Sequence, residues 1–167
     1  MTRIKADFLR DPGLQRIMAM LEGAGHQALV VGGAVRNALM GQAVSDVDLA
    51  SDATPEQVAA LAHAAGLRVI PTGIDHGTVT VLSDDAAYEI TTFRRDVDTD
   101  GRHASVAYST DLDQDARRRD FTMNALYARA DGTVLDPVGG LPDLRARRLR
   151  FVGDPRVRIA EDYLRIL

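Results

Sequence analysis

Residues 28–50 read ALVVGGAVRNALMGQAVSDVDLA. The first four form a short apolar run that stops at two glycines, the pattern of a buried strand entering a turn. Residues 34–40 read as a helix launched from that turn. Val47 and Leu49 then alternate with Asp46 and Asp48, which is the period of a strand. On such a strand both carboxylates leave one face, about 6–7 Å apart at the backbone. Strand, glycine turn, helix and acid-bearing strand in this order predict an α/β fold.

The same reading extends outward. Leu14, Ile17, Met18 and Leu21 recur at helical spacing, and the glycines at 23 and 25 end that helix. Thr54 followed by Pro55 and Glu56 starts a helix that runs to about residue 65. Residues 67–70, 77–82 and 87–93 read as strands. Residues 96–104 (DVDTDGRHA) are polar and read as a loop. Residues 111–125 suggest helix, and 126–130 with 133–135 suggest a hairpin about Asp131 and Gly132. DPVGG at 136–140 breaks the pattern. Helices follow over 141–147, 155–159 and 161–167. The expected architecture is a mixed β-sheet flanked by helices and followed by further helices. It divides into an N-terminal helix (1–26), a central domain (27–139) and the start of a helical unit (140–167). The last helix has no visible end, so a missing C-terminal region is expected.

Of the 167 residues, 46% are hydrophobic, enough for a substantial core in one domain. Cysteine is absent, which excludes a disulfide framework, a thiol nucleophile and a cysteine zinc site. No apolar run is long enough to span a bilayer, and the N-terminus lacks the apolar block of a signal peptide. A cytoplasmic setting is expected. The formal net charge is −4, so charge alone indicates no nucleic-acid partner. Its distribution is uneven. Arg117, Arg118 and Arg119 follow an acidic stretch, six arginines fall between 145 and 158, and Lys5 is the only lysine. Arginine supplies planar, forked donors to phosphates. A GC-rich genome would produce the same bias.

Two carboxylates as close as Asp46 and Asp48 repel each other unless a cation sits between them. Oxygen donors of this kind suit Mg²⁺, which takes one or two carboxylates plus substrate phosphates. Upstream, Gly32 and Gly33 let the backbone approach a phosphate, the following helix offers amides, and Arg36 adds a forked donor. The glycine turn and Arg36 would hold a triphosphate, while the acids hold the metal that bridges it. Glu89, on a strand, is the candidate third acid, with Asp120 the alternative. A solvated acidic turn and a tight strand–helix turn would leave the same traces.

The segments LVVGGAVRNALMG and SDVDLASDATPEQV resemble the head domain of the bacterial tRNA nucleotidyltransferase and poly(A) polymerase family, the CCA-adding enzymes. EITTFRRDVDTDGRH, RRRDFTMNALY, LDPVGGLPDLRARRLRFVGDP and EDYLR agree in order and spacing. The resemblance implies a nucleotidyltransferase-type head followed by the first helices of an all-α neck. It implies triphosphate contacts at Gly33 and Arg36, and metal-binding catalytic carboxylates at Asp46 and Asp48. It further implies nucleotide and ribose contacts at Arg119, Asp120 and Asn124, and a hinge at DPVGGLPDL. Residues 96–103 would form a loop that helps the site switch between CTP and ATP.

Glu161, Asp162 and Arg165 would read the incoming base. Asp162 and Arg165, three apart on a helix, would share a face. Together they would favour C and A over U and G; an intrahelical ion pair has the same spacing. The implied reaction is template-independent addition of C and A to the 3′ end of tRNA from CTP and ATP, with two Mg²⁺ ions and release of pyrophosphate. Poly(A) synthesis, CC-only or A-only addition, and a nucleotide- or RNA-binding module without full activity remain open, as does a homo-oligomer. The sequence departs from the family at Asn37, where aspartate is usual. Asn37 is expected to keep a hydrogen bond to Arg36 while losing the charge.

Overall fold

The computed structural model describes residues 1–71, 73–97 and 105–166. Its centre is β1, Ala28–Val31, in which every residue is buried. The strand is apolar throughout because both of its faces and both of its edges are covered. β2 (Asp48–Ser51) lies antiparallel to it on one side and β8 (Tyr127–Ala128) on the other. With β3 (Arg68–Ile70), β4 (Thr78–Ser83), β5 (Ala86–Thr92) and β9 (Val134–Leu135) they form a seven-stranded mixed sheet, ordered β3-β4-β5-β2-β1-β8-β9. Among the described strands, only β2 and β5 pair in parallel.

Side-chain alternation gives the sheet two apolar faces. On one, Val30, Leu49 and Ile90 pack with Leu14, Ile17, Met18 and Leu21 of α1 (Pro12–Gly23) and with Val58 and Ala62 of α3 (Pro55–Ala64). On the other, Leu29, Val31 and Ala50 meet Phe93, Ala116, Tyr127 and Val152. Both helices start on satisfied caps. Asp11 accepts from the amides of Gly13 and Leu14, and Thr54 with Gln57 closes a reciprocal capping box.

The sequence reading meets the structure with four differences. First, β2 begins at Asp48, so Asp46 precedes the strand. β1 turns away at Gly32, its last pair being Val31 with Asp48, and nothing is left to extend β2 toward Asp46. Second, residues 111–125 are not one helix. α4 covers only Leu112–Arg117, and a short 3₁₀ turn covers Thr122–Asn124. The intervening backbone pairs elsewhere: Val152 N donates to Asp120 O at 2.8 Å and Thr122 N to Arg150 O at 2.9 Å.

Third, Asp96 and Val97 lie in β6 (Arg94–Val97), which forms a separate ribbon with β7 (Ser105–Tyr108). The rest of the expected loop, 98–104, lies outside the described residues. Fourth, α6 (Pro155–Glu161) ends before Asp162, which is extended at φ −154° and ψ 106°, and 3₁₀ backbone follows over Tyr163–Ile166. The Asp162 carboxylate accepts from Leu164 N at 3.0 Å, a local bond that competes with helix continuation.

The break at 136–140 brings two distant segments into contact. Asp136 accepts from Gly140 N at 2.6 Å and Leu141 N at 3.0 Å, opening α5 (Gly140–Arg145). Gly140 lies so close to the Thr122 carbonyl that a Cβ there would collide with backbone. Asp143, buried in α5, accepts from Thr122 Oγ1 and from Arg150 Nε, both at 2.7 Å. Gly140→Ala is therefore expected to destabilise the fold by about 1–3 kcal/mol, the usual cost of overpacking, in a denaturant unfolding curve. An unchanged midpoint would show that the two segments separate without cost.

Candidate functional site

The sheet order places the candidate groups side by side. Val31, one residue before the glycine turn, pairs with Asp48. On the other side of β2, Leu49 pairs with Ile90, which sets Glu89 beside Asp48, and Glu89 in turn pairs with Thr80. Asp46, Asp48 and Glu89 are all exposed and line one cleft of about 650 Å³ with Phe8, Ser45 and Thr80. Asp46 thus joins the other two acids although it stands outside the strand.

Electrostatics agree with this grouping. Partial burial holds the Asp48 carboxyl above its ordinary pKa, and the neighbouring charges of Glu89 and then Asp46 add to the effect. The Arg119 guanidinium acts in the opposite direction. Three acids and one cation therefore share a field. An open set of carboxylate oxygens, one of them held back from ionising by partial burial and by the others, suits a hard divalent cation. Among the described residues no three metal-ligating side chains form a ready-made cage. A Mg²⁺ site completed by substrate phosphates needs only one or two carboxylates.

The turn at Gly32 has φ +74°, a conformation that L side chains rarely adopt, and starts α2 (Gly33–Leu39). Arg36, one turn into α2, is held from two sides. Its Nε donates to Asn37 Oδ1 at 3.1 Å and its Nη1 to Asn124 Oδ1 at 2.6 Å. Asn37 thus keeps the hydrogen bond expected of it. The amide of Asn124 donates to Asp120 Oδ1 at 3.1 Å. Arg36, Asn124 and Asp120, read from two separate sequence blocks, form one hydrogen-bonded chain. Asp120 is a member of that chain and does not line the acid cleft, whereas Glu89 does.

Arg119 belongs to a cluster that the sequence reading missed. Its Nη2 meets Asp115 Oδ2 at 3.1 Å and its Nε donates to the Tyr127 hydroxyl at 3.0 Å. Tyr127 donates to the same Asp115 oxygen at 2.6 Å. Burial pushes the Tyr127 phenol well above its ordinary pKa, so it stays protonated. Burial opposes the charge on Arg119, but Tyr127 and Asp115 outweigh it and the guanidinium pKa is raised. The i, i+4 spacing of Asp115 and Arg119 was the available signal. Tyr127 closes the RRRDFTMNALY block, but its spacing gave it no role.

Glu161, Asp162 and Arg165 lie apart from the residues lining the acid cleft. Arg165 pairs with Glu161 at 2.8 Å rather than with Asp162. Glu161 also pairs with Arg158 at 3.1 Å, and Arg158 approaches Asp96, which pairs with Arg118 at 3.2 Å. The expected Asp162–Arg165 helical face is therefore not formed, because α6 stops before Asp162.

A mixed sheet carrying a glycine turn and an acid cleft on neighbouring strands defines a nucleotidyltransferase-type head domain. The chain belongs to the Poly A polymerase head domain family, whose model matches residues 28–150. It is 45% identical over 153 residues to the CCA-adding enzyme of Bacillus subtilis (strain 168), covering 90% of this chain and 38% of that one. It is 44% identical over 156 residues to the mitochondrial CCA tRNA nucleotidyltransferase 1 of Homo sapiens, covering 93% and 36%. Among solved structures it resembles the Bacillus stearothermophilus CCA-adding enzyme in complex with CTP, with a TM-score of 0.82 and 41% identity over 93% of this chain and 38% of that chain. It also resembles a tRNA nucleotidyltransferase complexed with a primer tRNA and an incoming ATP analogue, with a TM-score of 0.69 and 31% identity over 90% and 42%. The chain therefore spans about two fifths of the length of these relatives.

The raised pKa of Asp48 fixes the sign of a stability effect. A carboxyl that ionises less readily in the folded state costs stability once pH exceeds its folded pKa, and the cost vanishes below the unfolded value. Asp48→Asn should therefore raise the melting temperature of the metal-free chain at about pH 7, and the gain should shrink toward zero at about pH 4 and below. Thermal unfolding across that range checks it. A variant less stable than the parent at neutral pH would show that Asp48 is held by a favourable partner instead.

Proposed function

We propose that this chain is the nucleotide-binding and catalytic head of a template-independent RNA nucleotidyltransferase that adds C and A to the 3′ end of tRNA from CTP and ATP. The observation that carries the reading is the meeting of Asp46, Asp48 and Glu89 in one cleft beside the glycine turn. Relatives named as CCA-adding enzymes, a CCA-adding enzyme solved with CTP and a tRNA nucleotidyltransferase solved with a primer tRNA and an ATP analogue support CCA addition over poly(A) synthesis.

In this reading Gly32, Gly33 and Arg36 bind the triphosphate, and Asn124 and Asn37 hold the Arg36 guanidinium toward it. Arg119 places a second cation near the acids. Asp120 and Asn124 contact the nucleotide and its ribose, and Glu161, Asp162 and Arg165 take part in reading the base. Asp46 and Asp48, with Glu89 beside them, would hold two Mg²⁺ ions. Bound there, Mg²⁺ supplies charge neutralisation and activation of the RNA 3′-hydroxyl for attack on the α-phosphate, with pyrophosphate leaving. In this reading the chain divides into an N-terminal helix (1–26), a head (27–139) and the start of a neck (140–167). Among the described residues no helix is long and apolar enough to cross a membrane. The proposal keeps the cytoplasmic setting read from the sequence.

The test is nucleotide addition to a tRNA that lacks its 3′ end, with CTP alone, ATP alone and both. Asp46→Ala and Asp48→Ala, each in a form that includes the neck, should lose about two orders of magnitude or more in rate, equivalent to several kcal/mol of transition-state stabilisation. Undiminished addition by either variant would refute the assignment.

A further inference from the structure

Asp115 is a carboxylate with 2% of its surface exposed, and none of the roles above uses it. A buried charge survives only where its oxygens are satisfied, and here they are. Oδ2 accepts from the Tyr127 hydroxyl at 2.6 Å and from Arg119 Nη2 at 3.1 Å, and Oδ1 accepts from the backbone N–H of Arg94 at 3.2 Å. Arg119 Nε closes the ring on the Tyr127 hydroxyl at 3.0 Å. Tyr127 is fully buried on β8, in register with Val31 at the lip of the glycine turn, and Gly32 N donates to Leu126 O at 3.1 Å beside it. The ring is thus bolted to the strand that carries the turn.

We infer that Asp115 and Tyr127 are positioning residues that fix the Arg119 guanidinium so that its free nitrogen faces the nucleotide's phosphates. Two of the three guanidinium nitrogens, Nε and Nη2, are consumed by the ring. Nη1 has no hydrogen-bond partner among the described residues, and the side chain is 25% exposed. A planar fork held at two corners can present the third in only one direction, which lowers the ordering cost of binding an anion. Tyr127 is indispensable to this because its hydroxyl accepts from Arg119 and donates to Asp115 at once. A purely structural ion pair would need only Asp115 and Arg119.

This inference rests on the proposed nucleotide site, and the test separates the two. CTP binding to the full chain is measured by calorimetry in the presence of Mg²⁺ for the parent, Tyr127→Phe, Arg119→Ala and the double variant, with the same Tyr127→Phe change made beside Arg36→Ala. Tyr127→Phe keeps the buried ring and removes only the hydroxyl, and its melting curve reports whether the fold is retained. We expect it to weaken CTP binding about fivefold to tenfold, to have no further effect in the Arg119→Ala background, and to keep its full effect in the Arg36→Ala background. Asp115→Asn should behave as Tyr127→Phe does. If folded Tyr127→Phe binds CTP as the parent does, or weakens it equally with and without Arg119, the positioning role is wrong while the nucleotide site stands. If the parent does not bind CTP, both fail.

Discussion

Asp48 must ionise in a place where two other carboxylates already oppose it. That constraint organises the site. β1, β2 and β5 deliver the glycine turn, Asp48 and Glu89 to adjacent positions, and Asp46 leans in from the segment before β2. Such an arrangement lowers the stability of the empty fold at neutral pH and gains it back when positive charge arrives. The Arg119 guanidinium acts against the crowding at Asp48. A protein that only needed a stable sheet would have no reason to keep this collection of charges.

The segments around the acids depend on each other through a few short contacts. Arg36 reaches Asn124, which reaches Asp120, so the helix after the glycine turn is tied to the 119–124 segment. That segment is tied to α5 by Thr122 and Asp143 and by the close approach at Gly140. Hydrogen bonds from Thr122 and Arg150 hold the Asp143 carboxyl below the usual carboxylate range. Arg158 carries the connection further, pairing with Glu161 while donating to the carbonyls of Val152 and Arg118. Movement of the C-terminal helices would thus be felt at Arg118 and Arg119. In the arginine-rich stretch after residue 145, Arg148 and Arg150 pair with Asp143 and Arg156 with Asp154, while all three side chains stay exposed at the surface.

What could be read from the sequence was local. The apolar run at 28–31, the two glycines and the Thr54 cap each specify their element through backbone geometry or burial, and the structure has them there. Elements that depended on distant partners were not legible. The helix expected to run past residue 117 stops because 120–122 pairs with 150–152, a contact no periodicity reveals. The β6–β7 ribbon was hidden in a polar stretch that reads as loop. Asp162 looked helical by spacing, but its own side chain captures Leu164 N and turns the chain. Asp46 and Asp48 were expected to share a strand face. They share a cleft instead, because β1 ends opposite Asp48. The candidate acids were found through their pattern, whereas the Asp115–Tyr127–Arg119 ring joins α4 and the turn after it to β8 and is visible only in the folded chain.

The central claim is that these acids and the preceding glycine turn bind opposite ends of one metal–nucleotide complex. A crystal structure of the chain with CTP and Mn²⁺ in place of Mg²⁺ tests it most directly. The account predicts anomalous peaks in contact with the Asp46 and Asp48 carboxylates and triphosphate density over Gly32, Gly33 and Arg36. Manganese peaks away from both aspartates, or CTP bound without touching the turn, would contradict it.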